Sequence, residues 1–141
     1  YNVVKIPQVE RIGMRYVNQI TDREIVLSID EMIKPEVLGL AEIKAIAKEV
    51  GLVQSVNSAE WKIGTAEFAV KTGIVGPNQQ ADPLIPIYDF HTWVMDIDAS
   101  EIFQKPMETS DIIYNLGKLA DISVDFFRYM ANEKFLKNFA E

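Results

Sequence analysis

An α+β domain, with helices packed on one face of a mainly antiparallel sheet in the order β-α-β-β-α, is the architecture this sequence predicts. Three observations lead there. Strand-period alternation runs through residues 9–20, 59–75 and 87–98; helical spacing fills 35–50 and the stretch after 109; and no internal repeat or low-complexity tract interrupts them. The 141 residues, 48% hydrophobic and 25% charged, suffice to bury one core, so a single domain over 1–141 is expected.

The first strand reads "RIGMRYVNQI". Ile12, Met14, Tyr16 and Ile20 fall on one face, and Arg11, Gly13, Arg15, Val17 and Gln19 on the other. After the Thr21-Asp22 turn, Ser28 with Glu31 three residues on fits a capped helical turn, while "REIVL" fits an extended strand equally well. Pro35 then opens a helix in which Val37, Leu40, Ile43, Ala47 and Val50 recur at helical spacing until Gly51 stops it.

Residues 59–75 read as one strand. Trp61 and Ile63 share a face, Ala66, Phe68 and Val70 take the other, and Gly64 at the phase change predicts a bulge or strong twist. "VGPNQQADPLIP" is a loop by composition and the segment expected to move most. The third strand, "IYDFHTWVMDID", occupies 87–98. Thr109 or Ser110 caps a long helix through Ile112, Leu116, Leu119, Ser123, Phe126 and Met130, and Asn132 breaks and recaps it before Phe135, Leu136 and Phe139.

Composition excludes several functions. The 14 basic against 21 acidic residues give a charge of −7, which removes the electrostatic footprint a nucleic-acid backbone requires. With no cysteine, disulfides and thiolate metal sites are impossible, and a cytoplasmic setting is expected. No run approaches the ~18 apolar residues of a spanning segment, so no membrane association is expected. No cofactor is implied. The start at Tyr1 leads us to expect the C-terminal part of a longer protein.

Chemistry concentrates on one side of the sheet. With Trp93, Met95 and Ile97 as the core face, Tyr88, Phe90, Thr92, Val94, Asp96 and Asp98 share the opposite face with Arg11 and Arg15. Tyr88, Phe90, Val94 and Val17 there form an expected apolar patch of the kind that marks an interface. An arginine fork matches a carboxylate, so Arg15 is expected within ion-pair reach of Asp96 or Asp98, either as a purely structural pair or as part of a contact. Asp89, His91, Asp96 and Asp98 carry metal-ligand chemistry, but alternation sends the first two and last two to opposite faces. "GIVGPNQQ" lacks the lysine and following helix of a phosphate loop.

The same strand carries a family resemblance. "RIGMRYVNQI" resembles the R-I-G-L-R-Y-I-N-R-I signature of a sporadically distributed family of uncharacterised bacterial and archaeal proteins. "MDID" at 95–98 resembles the family's L-D-I-D, and "LGKLADISVDFFRYMANEKF" its closing helix. Arg11, Gly13, Arg15, Tyr16 and Asn18 match by position; Met14, Val17 and Gln19 are substitutions, and Ala120 stands where the family has histidine. The resemblance implies no activity. It implies a further N-terminal half.

The function expected is a non-catalytic binding or interaction domain using the sheet face around Arg11, Gly13, Arg15, Tyr88, Phe90, Asp96 and Asp98, with no catalytic and no metal-binding residues. Its partner would be the missing N-terminal half, another protein or a second copy. The alternative is an enzyme of small-molecule or nucleotide chemistry with a site around Arg11, Arg15, Asn18, Asp96 and Asp98. Gly13 would admit another backbone between the arginines, while Tyr16 and Asn18 would be hydrogen-bonded near the closing helix.

Overall fold

The computed structural model describes residues 9–42, 51–103 and 106–138. Alternation resolves into four antiparallel strands, β1 Arg11–Ile20, β2 Ser55–Ile63, β3 Ala66–Val75 and β4 Thr92–Ile102, in the spatial order β1-β4-β3-β2. Helices lie against one face, so the α+β class holds. Strand β4 is central in both senses: it pairs with β1 and β3, and Trp93, Met95, Ile97 and Ala99 on its helix-covered side are all but inaccessible. Ile12 and Ile20 of β1 and Phe68 and Val70 of β3 complete that layer.

The element order has one strand more than the sequence predicts. Residues 59–75 are not one bulged strand but the β2–β3 hairpin, with Ile63 opposite Ala66 and Trp61 opposite Phe68. Gly64 is the first residue of the two-residue turn, with φ of 64°, the position at which such a loop demands a positive φ. The phase change is therefore a reversal of the chain. It returns Trp61, Ile63, Ala66 and Phe68 to the same face.

The first helical region is broken where a continuous helix is expected. "REIVL" forms α1, Arg23–Leu27, because Asp22 accepts hydrogen bonds from the Glu24 and Ile25 amides at 2.9 and 3.2 Å. A 3-10 turn follows at Ile29–Glu31, and α2 covers only Pro35–Leu38 before a second 3-10 turn at Gly39–Glu42. Gly39 has φ of 58°, and a Cβ there would lie 2.5 Å from the Asn57 amide oxygen. A glycine held in that conformation ends α2. The expected continuation through Ile43, Ala47 and Val50 lies outside the described residues.

The long helix α3, Thr109–Met130, is capped by Glu108 in place of Thr109 or Ser110, with a reciprocal box to Asp111. Leu119, Ser123 and Met130 face the sheet. At its end the Asn132 side chain accepts from the Phe135 amide at 3.0 Å and starts α4, Glu133–Asn138. Phe135 is buried, with its ring centroid 5.7 Å from Phe127 and 6.4 Å from Trp93. Phe139 lies outside the described residues.

This C-terminal turn also ties down the early helices. Ile33 and Ala131 form an isolated bridge, the Lys34 amide donates to the Met130 carbonyl, and the Asn132 amide to the Met32 carbonyl. Lys134 pairs with Glu31. Among the described residues no helix is long and apolar enough to cross a membrane.

Candidate functional site

Alternation on β1 and β4 places Arg11, Gly13, Arg15, Val17 and Gln19 with Val94, Asp96, Asp98 and Ser100 on the side away from the helices. Arg15 stands directly opposite Asp98 in the register, yet it reaches diagonally to Asp96. Its Nε and Nη2 donate to the two Asp96 oxygens at 2.8 and 2.6 Å, a bidentate fork. Nη2 also donates to Asp82 at 2.5 Å. Hydrogen bonds to Asp96 first and Asp82 second push the Arg15 pKa further up, so the guanidinium is permanently charged.

Asp82 makes this more than a pair of strands exchanging charge. It belongs to the loop 76–91, which takes in most of the segment 75–86 expected to move most and here folds over one end of the sheet. One Asp82 oxygen accepts from the Leu84 amide at 2.9 Å and the other from Arg15. Ile85 is buried against Val75 and Val94 in a second small core, and Gln19 donates to the Pro86 carbonyl and to Thr92 at 3.3 and 3.2 Å. The loop is a fastened cover.

That cover corrects the expected apolar patch. The strand begins at Thr92 and not at 87, so Tyr88 and Phe90 lie in the loop, with centroids 5.1 Å apart. They are held there by a 2.7 Å bond from the Asn78 amide to the Tyr88 carbonyl and by the Arg23 guanidinium 4.4 Å over the Phe90 ring. Val94 is 1% exposed, so it offers nothing to a partner. His91 Nε2 lies 3.1 Å from the Leu52 carbonyl, and Asp89 is exposed. Among the described residues no three metal-ligating side chains come together.

The uncovered end of the same face keeps the remaining candidates. A groove of about 380 Å³ is lined by Arg11, Glu60, Lys62, Glu67, Asp98 and Ser100, with Ala69 between them. Gly13 is exposed and paired with Ser100 beside it. Arg11 and Asp98 thus share the groove, whereas Arg15 and Asp96 belong to the clasp under the loop. Of the two arginines flanking Gly13, Arg15 is already engaged by two carboxylates of its own chain.

Tyr16 and Asn18 are on the helix-covered side, as their parity requires, but neither is tied to the closing helix. Tyr16 is 39% exposed and its hydroxyl donates to Met14 sulfur at 2.9 Å. Both line a hollow of about 200 Å³ with Ile97, Ser123, Val124 and Phe127. The sequence reading missed Asp82, Glu67 and Lys62. Only the period of β3 and β2 signalled the last two, and it was obscured by the unrecognised hairpin.

Comparison with protein-family models, with curated proteins and with solved structures returns no match.

Proposed function

We propose that the chain is a non-catalytic interaction domain whose contact surface is the uncovered end of the sheet around Arg11, Gly13, Asp98 and Glu67. One observation carries this reading. The residues expected to form one site divide between two places: Arg15 and Asp96 are locked with Asp82, while Arg11 and Asp98 stand among charges of both signs on an exposed groove. An acid–base site needs its groups within reach of one reacting atom. A contact surface needs small residues that admit another backbone and charges that fix register, and Gly13, Ala69 and Ser100 beside the charged rim meet that description.

The occupant we assign is a second copy of the chain. Arg11 and Lys62 on one side and Glu60, Glu67 and Asp98 on the other make the patch self-complementary, which is what a two-fold contact requires. Concentration-dependent sedimentation tests it. Self-association is expected in the wild type, loss of it in Arg11→Glu and in Glu67→Lys, and heterodimer formation when those two variants are mixed. A strictly monomeric wild type at high concentration overturns the reading. The lack of cysteine supports a cytoplasmic setting, and the three motif segments, in their order, support kinship with the prokaryotic proteins they resemble.

A further inference from the structure

Strand β1 is an outer strand, bound on one side by β4 and on the other by nothing among the described residues. Which of its backbone groups are free follows from one bond. The Phe103 amide donates to the Glu10 carbonyl at 2.8 Å, one step beyond the Arg11–Ile102 pair, in a register that runs without a bulge to Ile20. Facing residues of an antiparallel ladder alternate between bonded and unbonded pairs, so the even-numbered residues of β1 give their amides and carbonyls to β4. Arg11, Gly13, Arg15, Val17 and Gln19 turn theirs outward.

Outer strands are guarded against pairing with another chain by shortness, proline, lysine or a bulge. β1 is ten residues long and has none of these. Of its two charged side chains, Arg15 is folded inward onto Asp96 and Asp82, and Arg11 stands at the strand's end. Tyr16, Val17 and Asn18 in the middle are exposed. On the helix-covered side this stretch borders the hollow lined by Tyr16, Asn18, Ile97, Val124 and Phe127. A row of free backbone groups beside an apolar recess fits one kind of occupant, an extended strand with apolar side chains at alternate positions.

β1 is itself such a strand, with Ile12, Met14 and Tyr16 alternating with Gly13, Arg15 and Val17. We propose that β1 pairs antiparallel with β1 of a second copy, joining two four-stranded sheets into one. Two-fold symmetry with matching side-chain faces requires a register centred on a residue. Of the two with the fullest overlap, the one centred on Arg15 sets that guanidinium against its own counterpart. The one centred on Tyr16 sets Tyr16 against Tyr16, Arg15 against Val17 and Gly13 against Gln19, so like charges stay apart and two exposed rings meet. The inference rests on the self-association reading and adds a second contact to it. A pair joined through the groove presents two β1 edges that engage together where one alone is too weak, and two different two-fold contacts on one chain build assemblies larger than a pair.

Sedimentation and amide hydrogen exchange on the intact chain test this together. At high concentration the wild type should form species larger than a pair, and exchange at Gly13, Val17 and Gln19 should slow as they form, whereas the Met14, Tyr16 and Asn18 amides are protected throughout. Val17→Pro removes an outward amide without touching the ladder to β4 and should stop assembly at the pair. Val17→Lys, which keeps the backbone intact and adds the charge that guards natural edges, should stop it at the same point and decides the matter if the proline variant unfolds. A wild type that stops at the pair, a Val17→Lys chain that assembles beyond it, or Val17 and Gln19 amides that exchange as fast in the assembly as in dilute solution, overturns the edge contact and leaves the groove contact standing. A wild type that stays monomeric overturns the groove reading and the edge contact with it.

Discussion

Arg15 passes over its cross-strand neighbour Asp98 and closes its fork on Asp96, at 2.8 and 2.6 Å, while the same guanidinium holds Asp82. The register alone would place the charge opposite Asp98. The loop decides otherwise, because Asp82 is brought in from the Asp96 side and one arginine bridges both. Asp98 is thereby left to the open groove.

The clasp predicts an asymmetry between single and double replacement. Arg15→Ala strands the buried Asp96 carboxylate and should cost about 1–3 kcal/mol. Replacing both partners, Arg15→Met with Asp96→Leu, should cost less, since no unpaired charge remains. Denaturant melts of the three proteins check this, and a double variant less stable than Arg15→Ala would refute it.

Acid should loosen the loop before it unfolds the sheet. The Leu84 amide first, and Arg15 second, hold the Asp82 carboxyl below its ordinary pKa. A carboxyl depressed in the folded state contributes stability that is fully present above its ordinary value of about 3.9 and is lost as pH falls through the lower folded value. The melting-temperature gap between wild type and Asp82→Asn should accordingly be open at neutral pH and close as pH drops below that value. A gap that is constant from pH 7 to pH 2 contradicts the assignment.

Two glycines on the sheet should behave in opposite ways. A Cβ on Gly13 would lie 3.4 Å from the Ser100 Cβ, an ordinary contact, so Gly13→Val should leave the fold within about 0.5 kcal/mol of wild type while abolishing self-association. At Gly73 it would lie 2.0 Å from the Ser55 carbonyl oxygen, and Gly73→Ala should destabilise by about 3 kcal/mol. Unfolding of Gly13→Val would make Gly13 a structural residue and remove it from the contact.

Asn132 holds two parts of the chain together. Its side chain caps α4 at the Phe135 amide and donates to the Glu31 carbonyl. Asn132→Ala should cost about 2 kcal/mol, the upper end of the range for a lost cap, whereas Asn132→Asp should recover the cap alone. Faster amide exchange at Met32 and Lys34 in the alanine variant is the accompanying signature.

Much of this was legible in the sequence because period two survives folding. The burial of Trp93, Met95 and Ile97, and the meeting of Arg15 with Asp96, follow from parity along two strands. The misreadings share a cause. Gly64 looks like a bulge, and Gly39 like an ordinary residue of a helix, until partners distant in sequence are known. Ile63 must find Ala66 across the turn, and Asn57 must pack where a Gly39 side chain would stand. Asp82 was unreadable for the same reason: nothing local tells a polar loop that its carboxylate will meet an arginine 67 positions earlier.

The bond from Asn132 to Glu31 spans 101 positions, and it bears on how the chain is born as well as how it stands. During synthesis at ~5–20 residues per second, the segment around Met32 and Ile33 is made about 5–20 s before its bridging partners. Those side chains, fully buried in the finished domain, spend that interval with nothing to cover them. A nascent chain halted anywhere before Ala131 should therefore present them to chaperones, and release should coincide with emergence of the last helix.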